Sequence, residues 1–374
     1  MRAVGIILAG GSSSRLEELS HKRAVPAMPI AGSYKSIDFA LSNMSNSHIK
    51  KVAVLTQYRA ESLNQHLNSS KWWDFGRKQG GLYILTPSIT EDNSYWYRGT
   101  ADAIYQNLEF LKNCHEPYVI LSSGDCVYKM DYNKVIEAHI HNKADITVVY
   151  KNIEPERDDV TRFGVLKVME DGRISEFEEK PLEASNNLIS TGVYVIRRRY
   201  LMELIEKSNK EGRYDFVQDI LVRYCGQRRF FGYRHEDYWS NIATVASYYK
   251  TNMDFLKKDI RDYFFKTYPS IYSKVSDMPP AKYNPGANIN NSLISGGCII
   301  NGEVENSILF KKVFVGNNCT IKNSIILDDV YIGDNTTIEN CIVESGNTIK
   351  ANASYIGEEG NIKIVIEGTE RYII

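Results

Sequence analysis

The sequence predicts an α/β domain with a mostly parallel sheet, followed by a parallel β-helix. Three observations carry that expectation. From residue 1 to about 255, β-branched runs alternate with longer amphipathic stretches. Turns bearing glycine or aspartate follow the apolar runs, and beyond residue 289 an aliphatic residue recurs every six positions. The first pattern is that of an open sheet covered by helices. The last is that of a solenoid whose coils cannot bury their own faces and need neighbours.

Taken in order, VGIILA (4–9), KKVAVLT (50–56), YVILSSG (118–124) and ADITVVY (144–150) read as strands. Between them lie stretches such as TADAIYQNLEFLKNC (100–114), with helical spacing of apolar residues. Ligands of open α/β sheets bind beyond the carboxyl ends of strands. Those places are filled here by AGGSSSR (9–15) and SGDCVY (123–128). Residues 257–288, KKDIRDYFFKTYPSIYSKVSDMPPAKYNPGAN, break the alternation and read as a linker. The units NSLI, NSIL, NSII and NCIV then begin at residues 291, 306, 323 and 340, with spacings of 15, 17 and 17. Hexapeptide steps recur inside them, VGNNCT from Val315 to the next aliphatic Ile321 and IGDNTT from Ile332 to Ile338. The expected organisation is therefore a domain over 1–256, a linker over 257–288 and a β-helix over 289–374.

Composition narrows the function. With 374 residues and a net charge of -1, the chain has no global basic field to attract nucleic acid. No apolar run approaches the roughly 18 residues of a membrane span, and the N-terminus lacks the apolar core of a secretory signal. The six cysteines show no CxxC and no metal-ligand spacing, which fits reduced, buried thiols in a cytoplasmic protein.

Each candidate motif has a plain reading and a chemical one. Gly10 and Gly11 after a strand mark a turn, or let backbone N–H groups approach a phosphate that Arg15 would then neutralise. Asp125 at a strand end caps a turn, or holds Mg²⁺ against a nucleotide phosphate. EFEEKP (176–181) is a solvated charge run unless Lys180 faces a ligand, and Gly99-Thr100 in WYRGTADA is by default a helix cap.

The ordered set is more specific than any member. LAGG and Arg15, RGTADA, SGD, FG, EFEEKP, STGVYV, YDFVQDI and YW, followed by hexapeptide repeats, closely resemble the bacterial glucose-1-phosphate adenylyltransferase (ADP-glucose pyrophosphorylase) family across nearly the whole chain. The resemblance implies a Rossmann-like nucleotidyltransferase domain and a left-handed parallel β-helix. It implies a reaction in which glucose 1-phosphate attacks the α-phosphate of ATP in line, giving ADP-glucose and pyrophosphate for glycogen or starch synthesis. Two aspartates would hold Mg²⁺, so the protein would act by positioning and electrostatics. Tyr97, Gly99, Thr100, Gly164, Glu179, Lys180, Ser190, Asp215 and Trp239 match family substrate positions, as do Gly10 and Gly11. Lys22 and Arg23 match positions implicated in binding sugar-phosphate or nucleotide effectors, and Arg77 and Lys78 are added to them as candidates; all four are otherwise ordinary surface cations.

The chain departs from the family on the nucleotide side. GGxGxRL becomes GGSSSRL, with Ser13 at the loop glycine and Ser12 where arginine is common. KRAKP becomes KRAVP, so Val25 replaces a phosphate-binding lysine, and LPxQQ becomes LTPSIT. YWRD(V/I)GT becomes YWSNIAT, with Asn241 at the second metal aspartate. These losses weaken the expected hold on Mg²⁺ and ATP. The pattern resembles the GlgD-type branch, whose members accompany a catalytic GlgC-type subunit; a homotetramer and a mixed tetramer are both compatible with the sequence. That resemblance implies a regulatory chain with little activity alone. An active adenylyltransferase is the alternative. An acyltransferase is disfavoured because no histidine stands from residue 289 onward to act as base.

Overall fold

The protein is described by a computed structural model covering residues 2–11, 13–76, 80–89, 94–154, 158–358 and 360–366. Two compact units emerge, Met1–Gly11 with Phe39–Trp239, and Ser12–Asp38 with Ser240–Ile374. This cuts across the sequential division into 1–256, 257–288 and 289–374.

In the first unit the described residues form a nine-stranded sheet. Gly81–Leu85, Lys51–Leu55, Ala3–Leu8 and Tyr118–Ser123 lie side by side and parallel, so the expected open parallel sheet is present in this half. Leu188–Arg197 then runs antiparallel to Tyr118–Ser123 and to Ile146–Asn152. Phe230–Arg234 joins Ile146–Asn152 in parallel, while Gly164–Val168 and Ile174–Glu179 form an antiparallel pair. The sheet is thus mixed, because its second half includes hairpin-connected strands that need no helical crossover.

Ile6, Leu121, Val148 and Ile196 are buried with Ile104, Leu201, Phe216 and Ile220 in one apolar cluster. Each such side chain removed from water contributes about 1.5–3 kcal/mol. The amphipathic stretch after Gly99 forms two helices, Thr100–Gln106 and Leu108–Lys112. Asn107 breaks them: its Nδ2 donates to the Ala103 carbonyl and to the Tyr97 hydroxyl, both at 2.8 Å. A side chain that satisfies backbone groups locally competes with helix continuation.

The second unit is built on the repeats. Its strands form three five-stranded parallel sheets, the arrangement of a triangular coil, consistent with a left-handed β-helix. Leu293, Ile308, Ile325 and Ile342 stack in register, reproducing the spacings of 15, 17 and 17. Ile300, Val315, Ile332 and Ile349 form another column, and all four are buried. Asparagines turn the corners: Asn306, Asn323 and Asn340 have φ of 44°, 45° and 51°, and Asn318, Asn335 and Asn352 have 56°, 57° and 61°. Asparagine enters this left-handed region more readily than other side chains because its amide bonds locally.

At two places the contacts run differently from the expected division. Lys282–Tyr283 already pairs with Ile299–Ile300, so the β-helix starts within the expected linker. Residues 13–38, expected in the first domain, are fastened to this unit instead. The Tyr248 hydroxyl donates to the Pro29 carbonyl at 2.7 Å, Ala31 N–H to Asn252 Oδ1 at 3.0 Å, and Ser295 Oγ to the Gly32 carbonyl at 2.8 Å. Tyr34 stacks on Phe265 with centroids 4.5 Å apart. All six cysteines are reduced thiols, and five are buried. No helix among the described residues is long and apolar enough to cross a membrane.

Candidate functional site

In the first unit, most sequence-selected residues stand at strand ends or on the loops that follow. Gly10 and Gly11 follow Ala3–Leu8, and Ala9 N–H donates to the Leu55 carbonyl at 2.8 Å. A Cβ on Gly10 would meet nothing closer than 3.6 Å, and one on Gly11 would meet nothing within 4 Å. Packing therefore does not require glycine at either position, which leaves open backbone as their distinguishing property. Asp125 lies between Tyr118–Ser123 and Cys126–Tyr128. Its Oδ1 accepts from Ser123 Oγ and, at 3.5 Å, from Cys126 Sγ.

Gly99 is required by its neighbour: an added Cβ would lie 2.4 Å from the Tyr214 carbonyl oxygen. That carbonyl accepts from Ala101 N–H at 2.8 Å and Asp102 N–H at 3.1 Å, clamping the start of the helix to the segment before Asp215. Thr100 Oγ1 accepts from Phe216 N–H at 2.8 Å and donates to Asp215 Oδ2 at 3.5 Å. Tyr97 is buried and exchanges backbone hydrogen bonds with the Gln57 amide at 2.9 and 3.2 Å.

Gly164 pairs with Glu179 across the sheet, and its missing side chain leaves room for the Phe177 ring and for Glu179 Oε2. Lys180 has φ of 49°, donates its N–H to the Phe163 carbonyl at 3.1 Å, and holds Glu179 through Nζ at 3.0 Å. Phe163 meets Trp239 edge to face at 5.5 Å. The indole Nε1–H of Trp239 is buried and has no partner among the described residues. Ser190 sits where the register of Leu188–Arg197 shifts, with Gly192 at φ 76°.

The sequence reading missed the residue that joins these groups. Tyr194 lies fully within the core, with its hydroxyl 3.1 Å from Ser190 Oγ and its ring 5.5 Å from Phe216. Burial pushes its phenol pKa well up; the Ser190 bond opposes this, and the nearby Glu179 and Asp215 carboxylates add to it. Tyr194 is thus bonded to Ser190 and lies within the electrostatic reach of Glu179 and Asp215. The motif STGVYV contains it, but periodicity marks it only as an inward strand position.

The remaining candidates belong to the second unit. Arg15 is exposed on the helical turn Ser14–Ser20. Ser13 Oγ donates to the Ala243 carbonyl at 2.6 Å, and Asn241 Oδ1 accepts from Ala243 N–H at 2.9 Å. Ser13 and Asn241 therefore bond the same backbone residue. Ala243 immediately precedes Thr244, whose capping box with Ser247 opens the helix Val245–Asp254. Val25 is 5% exposed within the turn Val25–Ala27, an apolar place.

Lys22 and Arg23 reach a β-helix corner. Lys22 Nζ donates to the Ser345 carbonyl at 3.0 Å. Arg23 Nη2 meets Glu344 Oε1 at 2.5 Å and also bonds Ser345 Oγ. Glu344 is fully buried. Arg23 thus serves as the counter-ion of a buried carboxylate, which the sequence could not show because the two lie 321 positions apart. Ser12, Arg77 and Lys78 lie outside the described residues.

Residues 4–258 match the Nucleotidyl transferase family, and residues 279–362 match the GlmU-like, C-terminal hexapeptide family. A glucose-1-phosphate adenylyltransferase of Clostridium beijerinckii is 41% identical over 324 residues, spanning 85% of this chain and 83% of that protein. One of Pseudothermotoga lettingae is 39% identical over 323 residues, spanning 86% and 76%. One of Clostridium botulinum is 42% identical over 322 residues, spanning 85% and 83%.

Proposed function

Because the chain belongs to the glucose-1-phosphate adenylyltransferase family, we propose that it is a regulatory, catalytically impaired subunit of ADP-glucose pyrophosphorylase in glycogen biosynthesis. In this reading it raises the activity of a catalytic GlgC-type partner within a mixed tetramer and keeps a glucose 1-phosphate pocket. The observation that carries the reading is the use of Asn241. Its amide oxygen is neutral and already accepts the Ala243 N–H, so it offers a divalent ion less than the carboxylate of the family position would. Val25 adds no charge either, and from its apolar surroundings it cannot stand in for a phosphate-binding lysine.

Of the two positions that the family gives to metal aspartates, 125 keeps its carboxylate and 241 does not, and with that charge lost the reading expects Mg²⁺ to be held weakly. On the sugar side, Glu179, Lys180, Ser190, Asp215 and Trp239 supply a carboxylate for hydroxyls, a cation for phosphate and an indole donor. Their part in the reading is to bind and orient the sugar phosphate. Losing a charge-assisted contact to a reacting phosphate costs a few kcal/mol, or several orders of magnitude in turnover when three are lost. An anionic effector at Lys22 and Arg23 would have to compete with Glu344 for Arg23.

The test is calorimetric titration of the purified chain with glucose 1-phosphate, ATP and ADP-glucose, with and without Mg²⁺, beside a pyrophosphate-release assay. The reading expects glucose 1-phosphate binding, weak Mg·ATP binding and little turnover. The double substitution Asn241→Asp with Val25→Lys should strengthen Mg²⁺-dependent ATP binding about tenfold or more. Robust turnover by the unmodified chain would establish the active adenylyltransferase instead, the reading favoured by the names of its relatives.

A further inference from the structure

We propose that Lys151 is a positioning residue for the sugar-phosphate pocket, holding the loop His235–Tyr238 so that the Trp239 indole faces its ligand. This rests on the reading of that pocket given above. Strand Ile146–Asn152 stands between the two strands that matter. On one side Tyr150 pairs with Ser190 and Lys151 with Ile189. On the other, Tyr150 pairs with Arg234, the last residue before the loop that leads to Trp239. At the end of this strand Lys151 Nζ donates to two consecutive carbonyls, Glu236 at 3.0 Å and Asp237 at 2.6 Å.

Further ties converge on the same four residues. His235 N–H donates to the Tyr150 carbonyl at 2.8 Å. The buried His235 ring meets Tyr128 edge to face at 6.4 Å, and its Nε2 lies 3.3 Å from the Tyr238 carbonyl. The Asp237 carboxylate acts on Lys129, next to Tyr128 on the segment that begins after Asp125. One short loop is therefore bonded to strand Ile146–Asn152, which itself pairs with the Ser190 strand, and leads directly into Trp239.

Strand pairing of Trp239–Asn241 with Cys126–Tyr128 holds the far end of the loop, and Lys151 holds its middle by bonding two adjacent peptide planes with a charged donor. Such bonds are stronger than neutral ones. Without them the carbonyls at 236 and 237 turn toward water, and both lie within three residues of Trp239. The indole cannot correct that movement, because its Nε1–H has no protein partner among the described residues to set its direction. Its orientation is left to the backbone and to the Phe163 edge. Misplacing a binding group by about 1 Å is enough to cost orders of magnitude in a positioned reaction.

The experiment compares the full chain with Lys151→Met, Lys151→Gln and Lys151→Arg, using glucose 1-phosphate titration and hydrogen exchange of the amides at 235–239 without ligand. Lys151→Met should weaken glucose 1-phosphate binding about tenfold and speed exchange at 235–239, leaving exchange at 118–123 unchanged. Lys151→Arg should recover both properties, and Lys151→Gln should fall between and stand in for Lys151→Met if that variant does not fold. Unchanged affinity in a folded Lys151→Met or Lys151→Gln chain overturns the positioning role, whether or not exchange quickens. Absence of glucose 1-phosphate binding by the unmodified chain overturns the sugar-pocket reading, and the positioning role with it.

Discussion

Arg23→Ala should destabilise the β-helix unit severely, and the size of the effect follows from the asymmetry of burial. The Glu344 side chain is 0% exposed and that of Arg23 11%. Removing the guanidinium leaves a buried carboxylate holding only Ser345, through its N–H at 2.6 Å and its hydroxyl at 2.7 Å. Breaking a buried ion pair from one side costs about 3–5 kcal/mol. The two surviving Ser345 donors place the cost near the lower end. At about 2–4 °C per kcal/mol for a unit of this size, roughly 3 kcal/mol lowers Tm by about 6–12 °C. Glu344→Gln should cost less, about 1.5 kcal/mol, because the long arginine can carry its charge to water. Replacing both partners with apolar residues, Arg23→Met with Glu344→Leu, should recover most of the loss. Calorimetric melting of the four proteins in one buffer is the assay. A Tm within about 2 °C of the parent for Arg23→Ala, or a larger loss for Glu344→Gln, refutes the reasoning.

Two other outcomes follow from the core and the coils. His139 is buried, bonded through Nδ1 to Thr147 Oγ1 at 2.9 Å. Burial above all, then the Arg197 charge, lowers its pKa from 6.5 to about 4, with Asp145 opposing. The unfolded chain then takes the proton first, so this contribution to stability is intact above about pH 6.5 and is lost as pH falls toward 4. Denaturant unfolding across that window should show a loss of up to about 3 kcal/mol that His139→Gln reduces, and an unchanged slope would contradict this account. In the asparagine ladder, Asn335 accepts from Asn318 at 3.2 Å and donates to Asn352 at 3.1 Å. Asn335→Ala should cost about 1–2 kcal/mol, chiefly for its left-handed backbone, and Asn335→Gly should cost only on the order of 0.5 kcal/mol. Equal losses in the two variants would mean that the side-chain ladder, not the corner, carries the stability.

The candidate site was legible in the sequence only in part, and the division has a physical cause. Gly99, Thr100, Asp125, Gly164 and Lys180 were visible because strand ends, turns and short motifs are local features. Tyr194 was not, since its bond to Ser190 and the influence of the Glu179 and Asp215 carboxylates on its phenol arise only in the folded chain. Lys151 was hidden likewise, in a strand whose pattern speaks only of burial.

The sequence by itself determined the alternation of strands and helices and the repeat with its spacing of 15 and then 17. Periodicity is imposed by the backbone and can be read one residue at a time. Tertiary structure alone decided that residues 13–38 belong with the β-helix, that Arg23 neutralises Glu344, and that Ser13 and Asn241 share Ala243. Those contacts join segments hundreds of positions apart. Which polar groups meet across such distances is fixed by how the segments of that unit pack, since a buried charge or an unsatisfied carbonyl takes whichever partner the fold brings within reach.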